Sequence, residues 1–99
     1  MAGKIGTYLG FCKRAGKLAL GVNAAAATRG RIYLFVADGS ASPNTRNEIE
    51  KLAKRFSCPV VWTEGLDALV HKEHCKLAAV REEHLAAAIL KETEDTKKD

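Results

Sequence analysis

Ile5, Tyr8, Leu9 and Cys12 recur at i, i+3, i+4 and i+7, the spacing of one face of a helix. Ala15-Gly16 ends that helix, with Lys13 and Arg14 on its last turn beside the exposed carbonyls. Lys17 to Leu20 reads as a short extended segment, and Gly21 turns the chain into a brief Ala-rich helix from Val22 to Thr28 that Gly30 stops. Ile32 to Ala37 is β-branched and aromatic with no polar alternation, the pattern of a strand buried on both faces. Asp38 to Ala41 is a loop. Ser42 followed by Pro43 is a helix start, a capping hydroxyl with proline at the first helical position. Ile49, Leu52, Ala53 and Phe56 carry that helix to the Ser57-Cys58-Pro59 break.

Val60-Val61-Trp62 is expected to be a second buried strand, and Thr63 to cap a helix carrying Leu66, Leu69 and Val70. Lys72 to Cys75 is a polar loop before the last strand, Leu77 to Val80. Leu85, Ala88 and Ile89 place a closing helix, and residues 93–99 read as a polar C-terminal tail, frayed as chain ends commonly are. Helices and strands alternate throughout. The reading is therefore one α/β domain over residues 1–92, a three-layer α/β/α sandwich with a small mixed sheet of about four strands.

Charge changes this picture from a fold to a candidate function. No Asp or Glu occurs between Met1 and Ala37, whereas Lys4, Lys13, Arg14, Lys17, Arg29 and Arg31 do, so that segment carries +6. The 99-residue chain is +4 in all, which leaves −2 on the remainder. Positive charge segregated in this way suits an anionic partner better than an ordinary mixed surface does. Hydrophobic residues at 46% and charged residues at 28% are ordinary for a globular chain with a single core. No apolar run approaches a membrane span, and no secretory signal pattern opens the chain. Three widely spaced cysteines, Cys12, Cys58 and Cys75, point to reduced thiols and a cytoplasmic setting.

Gly10 with Gly16-Lys17 has the outline of a phosphate loop, but its spacing is one residue too long. Leu18 also stands where a magnesium-binding hydroxyl belongs, and a helix precedes the loop in place of a strand. Gly21-Val22-Asn23, a glycine turn into a helix, offers free backbone N–H groups to a phosphate, while Asn23 suits either a helix cap or a base edge. His71, His74 and Cys75, with His84 further on, do not match a zinc-ligand spacing and read as surface histidines around a buried thiol. Glu82-Glu83 opens the last helix, where its dipole accounts for acids. No nucleophile, general base, metal or cofactor motif stands out. The expectation is a non-enzyme without a cofactor.

Several of these residues together resemble a known group. Arg14-Ala15-Gly16-Lys17-Leu18, then Gly21-x-Asn23, a buried strand, and Ala41-Ser42-x-Asn44-Thr45 before a helix are similar to the kink-turn-binding ribosomal protein superfamily. That group includes archaeal large-subunit protein seven-Ae, its eukaryotic thirty-e relative and small bacterial ribosome-associated homologues, and the bacterial branch is the type this chain resembles. The likeness runs from about Ile5 to Leu90 and includes Cys58-Pro59-Val60-Val61. It implies an α/β/α sandwich that binds bent, ribosomal or other structured RNA without catalysis. The RNA would lie across the loop before the second helix, that helix's N-terminus and the loop ahead of the last strand. By position these are Lys17, Gly21, Val22, Asn23 and the stretch from His71 and Lys72 to Cys75, with Lys13, Arg14, Arg29 and Arg31 adding phosphate contacts.

Two positions depart from the pattern. The family continues Asn-Glu-x-x-Lys, where the carboxylate accepts from a guanine and the lysine meets RNA; this chain has Ala24 and Ala27. The resemblance then implies weak or poorly selective kink-turn binding. It leaves open a second class of function, a protein-interaction member of the same fold that has lost the RNA site. A small enzyme is the third class and has the least in its favour.

Overall fold

The structure, a computed structural model, describes residues 3–97. In chain order it comprises α1 (Gly3–Arg14), β1 (Leu18–Leu20), α2 (Val22–Ala26), β2 (Leu34–Asp38), α3 (Pro43–Phe56), β3 (Val60–Thr63), α4 (Leu66–Val70), β4 (Leu77–Val80) and α5 (Glu83–Lys97). The strands form one sheet in the order β1-β4-β2-β3. β2 and β3 are parallel, and β4 runs antiparallel to both of its neighbours. Helices cover both faces, and the expected three-layer α/β/α sandwich with a four-stranded mixed sheet is the fold.

Side-chain alternation along β2 and β4 divides the core in two. Leu34, Val36, Ala78 and Val80 point to one face, where Ile5, Leu9 and Cys12 of α1, Leu66 and Val70 of α4 and Ala86 and Ile89 of α5 cover them. Phe35, Ala37, Leu77 and Ala79 point to the other, under Ala25 of α2 and Ile49, Leu52 and Ala53 of α3. Phe35 meets Phe56 edge to face at 6.2 Å. All four residues of β4 are fully buried, as expected for a strand flanked on both edges and both faces.

Three helices end in the same way. Gly16 (φ 71), Ser57 (φ 54) and His71 (φ 56) each take a left-handed conformation after the last turn. The next residue's N–H in each case reaches back five positions: Lys17 to Cys12 (2.9 Å), Cys58 to Ala53 (3.0 Å) and Lys72 to Asp67 (3.0 Å). This pattern satisfies carbonyls that a helix end would otherwise leave free. Only the first site has glycine. α3 starts as read, with the Ser42 hydroxyl accepting from the Thr45 N–H at 3.2 Å and Pro43 at the first position.

Four local expectations are corrected. β3 is the sheet edge, not a strand buried on both faces, so Trp62 is 37% exposed and carries the Arg46 guanidinium over its ring at 4.9 Å. Thr63 does not cap α4; it is the last paired residue of β3, opposite Asp38. Gly65 occupies the cap position, and with no side chain there the acceptor comes from Asp38, whose carboxylate takes the Leu66 N–H at 3.0 Å. α2 spans five residues and ends at Ala26, because the Thr28 hydroxyl and N–H fold back onto Ala24 and Ala25. Residues 93–97 of the expected tail continue α5, since neither Gly nor Pro interrupts them. Residues 98 and 99 lie outside the described residues.

Asp38 is 5% exposed and fully partnered. One carboxylate oxygen accepts from the Ser40 N–H (2.8 Å) and hydroxyl (2.7 Å), and the other from Leu66. Burial alone would push this carboxyl's pKa up, but the Ser40 and Leu66 hydrogen bonds and the nearby Lys76 charge together outweigh it and hold the group below its ordinary 3.8. A depressed folded-state pKa means a stabilisation that is present above the unfolded value and lost as pH falls through the folded one.

Asp38→Ala should therefore destabilise the fold by about 2–4 kcal/mol at pH 7, from several lost charge-assisted bonds and stranded donors. Urea titrations between pH 7 and pH 3 check both points: the wild type should lose stability below about pH 4, and the variant should lose less over that range. Ser57→Gly, which relieves a left-handed serine, should raise stability by roughly 0.5–1 kcal/mol in the same assay.

Candidate nucleic-acid interface

The turn at Gly21 requires glycine: its φ of 98° with ψ of 157° is a backbone conformation that L side chains rarely adopt. Its N–H donates to the Leu77 carbonyl at 2.8 Å, which pins the β1–α2 turn against the start of β4. The loop between α4 and β4 arrives at the same place. The Lys72 ammonium reaches the Leu20 carbonyl at 3.5 Å, the long limit of a hydrogen bond, across 52 positions of sequence. The Gly21 turn, which leads into Val22 and Asn23, is thus brought beside Lys72, the residue after His71.

Asn23 does not cap α2. It is the second helical residue, it is exposed, and its amide makes no hydrogen bond among the described residues. Val22, Asn23 and Ala26 form one wall of a shallow groove of about 250 Å³ whose other wall is Glu48, Lys51, Leu52 and Arg55 of α3. The carboxylate of Glu48 and the cations of Lys51 and Arg55 were not among the candidate residues. They lie about twenty-five positions downstream, and only the pairing of α2 with α3 brings them near.

His71 and His74 are exposed, and both have positive φ, 56° and 58°. Histidine is among the residue types enriched in that conformation, and strained backbone of this kind concentrates in binding loops. The Cys75 thiol turns inward and donates to the Leu77 carbonyl at 3.2 Å. The imidazoles and the thiol thus face different surroundings, and among the described residues no group of three or more His, Cys, Asp or Glu is placed to hold a metal.

The remaining cations separate by their place along the sheet. Lys13 is tied to the end of α4, its ammonium donating to the Val70 carbonyl at 2.9 Å. It also lines a shallow groove with Gly6, Thr7, Gly10, Arg14 and His71. Lys17 lies at the start of β1, four extended residues and about 13 Å of chain from Gly21. Its carbonyl accepts from the Arg81 N–H at 2.8 Å, so it sits beside the end of β4 and not its beginning. Arg31 precedes β2 at that same end, where the Tyr33 N–H donates to the Val80 carbonyl at 2.9 Å. Arg29 stands two residues before it. The candidate residues therefore separate: Gly21, Val22, Asn23, His71 and Lys72 at one end of the sheet, Lys17, Arg29 and Arg31 at the other, and Lys13 and Arg14 on α1 along the groove that His71 also lines.

Arg14 lies over the exposed Phe11 ring at 5.0 Å, and Arg31 over Tyr33 at 5.3 Å. The thiols offer little reactivity. Burial, with Glu82 adding to it, pushes the Cys12 pKa up, and burial pushes Cys58 up to about 11, so both stay protonated near neutral pH. Among the described residues no helix is long and apolar enough to cross a membrane.

No known protein family matches the chain, and no curated protein matches it. Among solved structures it is similar to a protein of unknown function from Bacillus halodurans, with a TM-score of 0.76 over 92% of this chain and 97% of that one, at 18% sequence identity. That likeness concerns the fold.

Proposed function

We propose that this protein is a non-catalytic, ribosome-associated RNA-binding protein of the cytoplasm. It engages structured RNA through the Gly21 turn, the exposed side of α2 at Asn23 and the loop from His71 to Lys76. The observation that carries this reading is the joining of two distant segments: Gly21 is held to Leu77 at 2.8 Å while Lys72 reaches Leu20. The glycine turn and the histidine-lysine loop then adjoin, with the exposed Asn23 amide two residues beyond the turn. Cations on such a surface hold phosphates in register, and an amide that both donates and accepts can read a base edge. The resemblance in sequence to the kink-turn-binding superfamily names the same segments.

One observation favours a second reading. Ala24 of α2 and Ala27 just after it are both exposed, so two methyl groups stand near Asn23 where a base-reading helix would present polar ones. That surface suits a protein partner, and the binding experiment separates the two.

Wild type titrated with kink-turn RNA, an unkinked duplex and ribosomes should bind with an affinity that falls steeply as salt rises. Lys72→Ala should weaken all the RNAs alike and reduce the slope of log affinity against log salt by about one. Unchanged affinity in the folded variant would remove this loop from the interface.

Ala24→Glu combined with Ala27→Lys tests selectivity. Each change costs little helix propensity. A carboxylate for a guanine edge and a cation beside it should improve the preference for kink-turn over straight duplex by about ten-fold or more, since a good base contact is worth roughly 1–3 kcal/mol of discrimination. The ratio of the two Kd values at one salt concentration is the measurement. A wild type that already discriminates strongly would refute the assignment of these alanines, and so would a variant that gains nothing.

A further inference from the structure

The end of the sheet opposite Gly21 is built from different segments and carries its own cations. Leu18 and Leu34 both stand opposite Val80, one on each side of it. The Arg81 N–H donates to the Lys17 carbonyl, and Tyr33 is held to Val80 two residues after Arg31. Lys17, Arg31 and Arg81 are consequently gathered across three adjacent strands, which at about 4.8 Å per strand spans roughly 10 Å. Arg14 is three residues before Lys17, across the Ala15-Gly16 turn.

Three features distinguish this end from a solvated basic surface. First, Lys17 and Arg31 make no salt bridge among the described residues, although acids are at hand. Glu82 is next to Arg81, but its carboxylate is engaged by the Leu85 N–H at 2.6 Å and the His84 imidazole at 3.1 Å. Second, Arg81 is half-buried and its Nε is buried with no hydrogen-bond partner. A partly desolvated guanidinium lacking an acceptor gains more from an anion than a fully hydrated one does. Third, an aromatic ring lies among the cations, the half-buried Tyr33 under Arg31 at 5.3 Å; Phe11 under Arg14 stands across the Ala15-Gly16 turn, where Arg14 also adjoins the groove that His71 lines. Charges tracking phosphates and rings stacking on bases are the two components of a single-strand surface.

We propose that this end of the sheet is a second nucleic-acid-binding surface, independent of the one at Gly21, so that one protein molecule holds two RNA segments at once. The inference rests on the RNA reading above and extends it: the first surface reads structure, and this one takes an unpaired strand through phosphate and stacking contacts. A membrane is the other anionic partner a basic surface can meet. It wants several apolar anchors on one face. Among the described residues only Phe11 and Trp62 are large, apolar and exposed, and Trp62 is on the β3 edge.

The test uses the full chain with two differently labelled RNAs, a structured hairpin and an unpaired oligonucleotide, and reads energy transfer between them together with the anisotropy of each. Wild type should bring the two labels together. Lys17→Glu with Arg31→Glu should abolish the transfer and weaken the unpaired strand at least ten-fold, while leaving the hairpin affinity within about two-fold. Lys72→Glu should do the reverse. Lys17→Ala with Arg31→Ala, which keeps the surface free of new acids, should show the same pattern more weakly, and circular dichroism establishes that each variant is folded. If wild type binds the hairpin but the second RNA only competes with it, the two-surface proposal falls and the RNA reading stands. If wild type binds neither RNA, both fall. Binding to anionic phosphatidylserine vesicles that the Lys17 and Arg31 changes remove, without any effect on RNA, would overturn the proposal in favour of a membrane.

Discussion

Everything at the Gly21 end of the molecule depends on the buried carboxylate of Asp38. α4 is five residues long and begins at a glycine in a left-handed conformation, so it has no cap of its own. Asp38 supplies one from 28 positions away by accepting the Leu66 N–H. The same residue's N–H donates to the Lys76 carbonyl, and Lys76 in turn donates from its ammonium to the Ser40 hydroxyl at 2.8 Å. One carboxylate therefore fixes where α4 starts, and the adjoining backbone bond fixes where β4 starts. The loop from His71 to Cys75 is suspended between those two points. Lys13 holds the near end of that loop through Val70, and Lys72 ties it to Leu20. A burial cost is accepted at Asp38 because three donors need the charge.

The central strand has a second organising effect. β4 runs antiparallel to both β1 and β2, so its two ends lie next to opposite ends of the chain segments around it. Its beginning meets Gly21 and Asp38; its end meets Lys17 and Tyr33. The basic segment from Lys13 to Arg31 leaves α1 near the end of β4, runs along β1 to the beginning, and returns along α2. Most of that charge, Lys17, Arg29 and Arg31, therefore gathers by the end of β4, while Lys13 is turned to Val70 and the cation beside Gly21 is Lys72 from a later segment.

Much of this fold is legible in the sequence, for local reasons. The helical spacing of Ile5, Leu9 and Cys12, the Ser42-Pro43 start of α3 and the unbroken apolar run of β2 each follow from rules that act over a few residues. What could not be read there depends on strand order. Val60-Val61-Trp62 has the composition of a central strand, but its place is the edge, where Trp62 stays half open and Arg46, which also donates to the Gly39 and Ala41 carbonyls, lies over it. Thr63 looks like a cap because it precedes a helix, yet pairing with Asp38 holds it in the sheet. The cap came instead from Asp38 itself, a residue whose sequence neighbours mark it only as part of a loop. The candidate site was half legible. Gly21 announces a turn and Lys72 a polar loop, but their proximity is a product of the β1–β4 pairing, and so is the separation of Lys17 from both.

On the proposed RNA-binding reading, that separation bears on how affinity and selectivity would divide in such a small protein. A domain of this size has room for few direct base contacts, and the Gly21 surface offers Asn23 with two alanines beside it. Phosphate contacts carry little sequence information but add affinity at every nucleotide they reach. If all the cations converged on one surface, they would raise affinity for any RNA and blur what little discrimination Asn23 provides. Moving Lys17, Arg31 and Arg81 to the far end relieves that conflict: the Gly21 surface keeps a modest charge and the loop geometry that Asp38 holds. On the proposed reading, selectivity at one end and unspecific grip at the other would both follow from a single feature of topology, the reversed direction of β4.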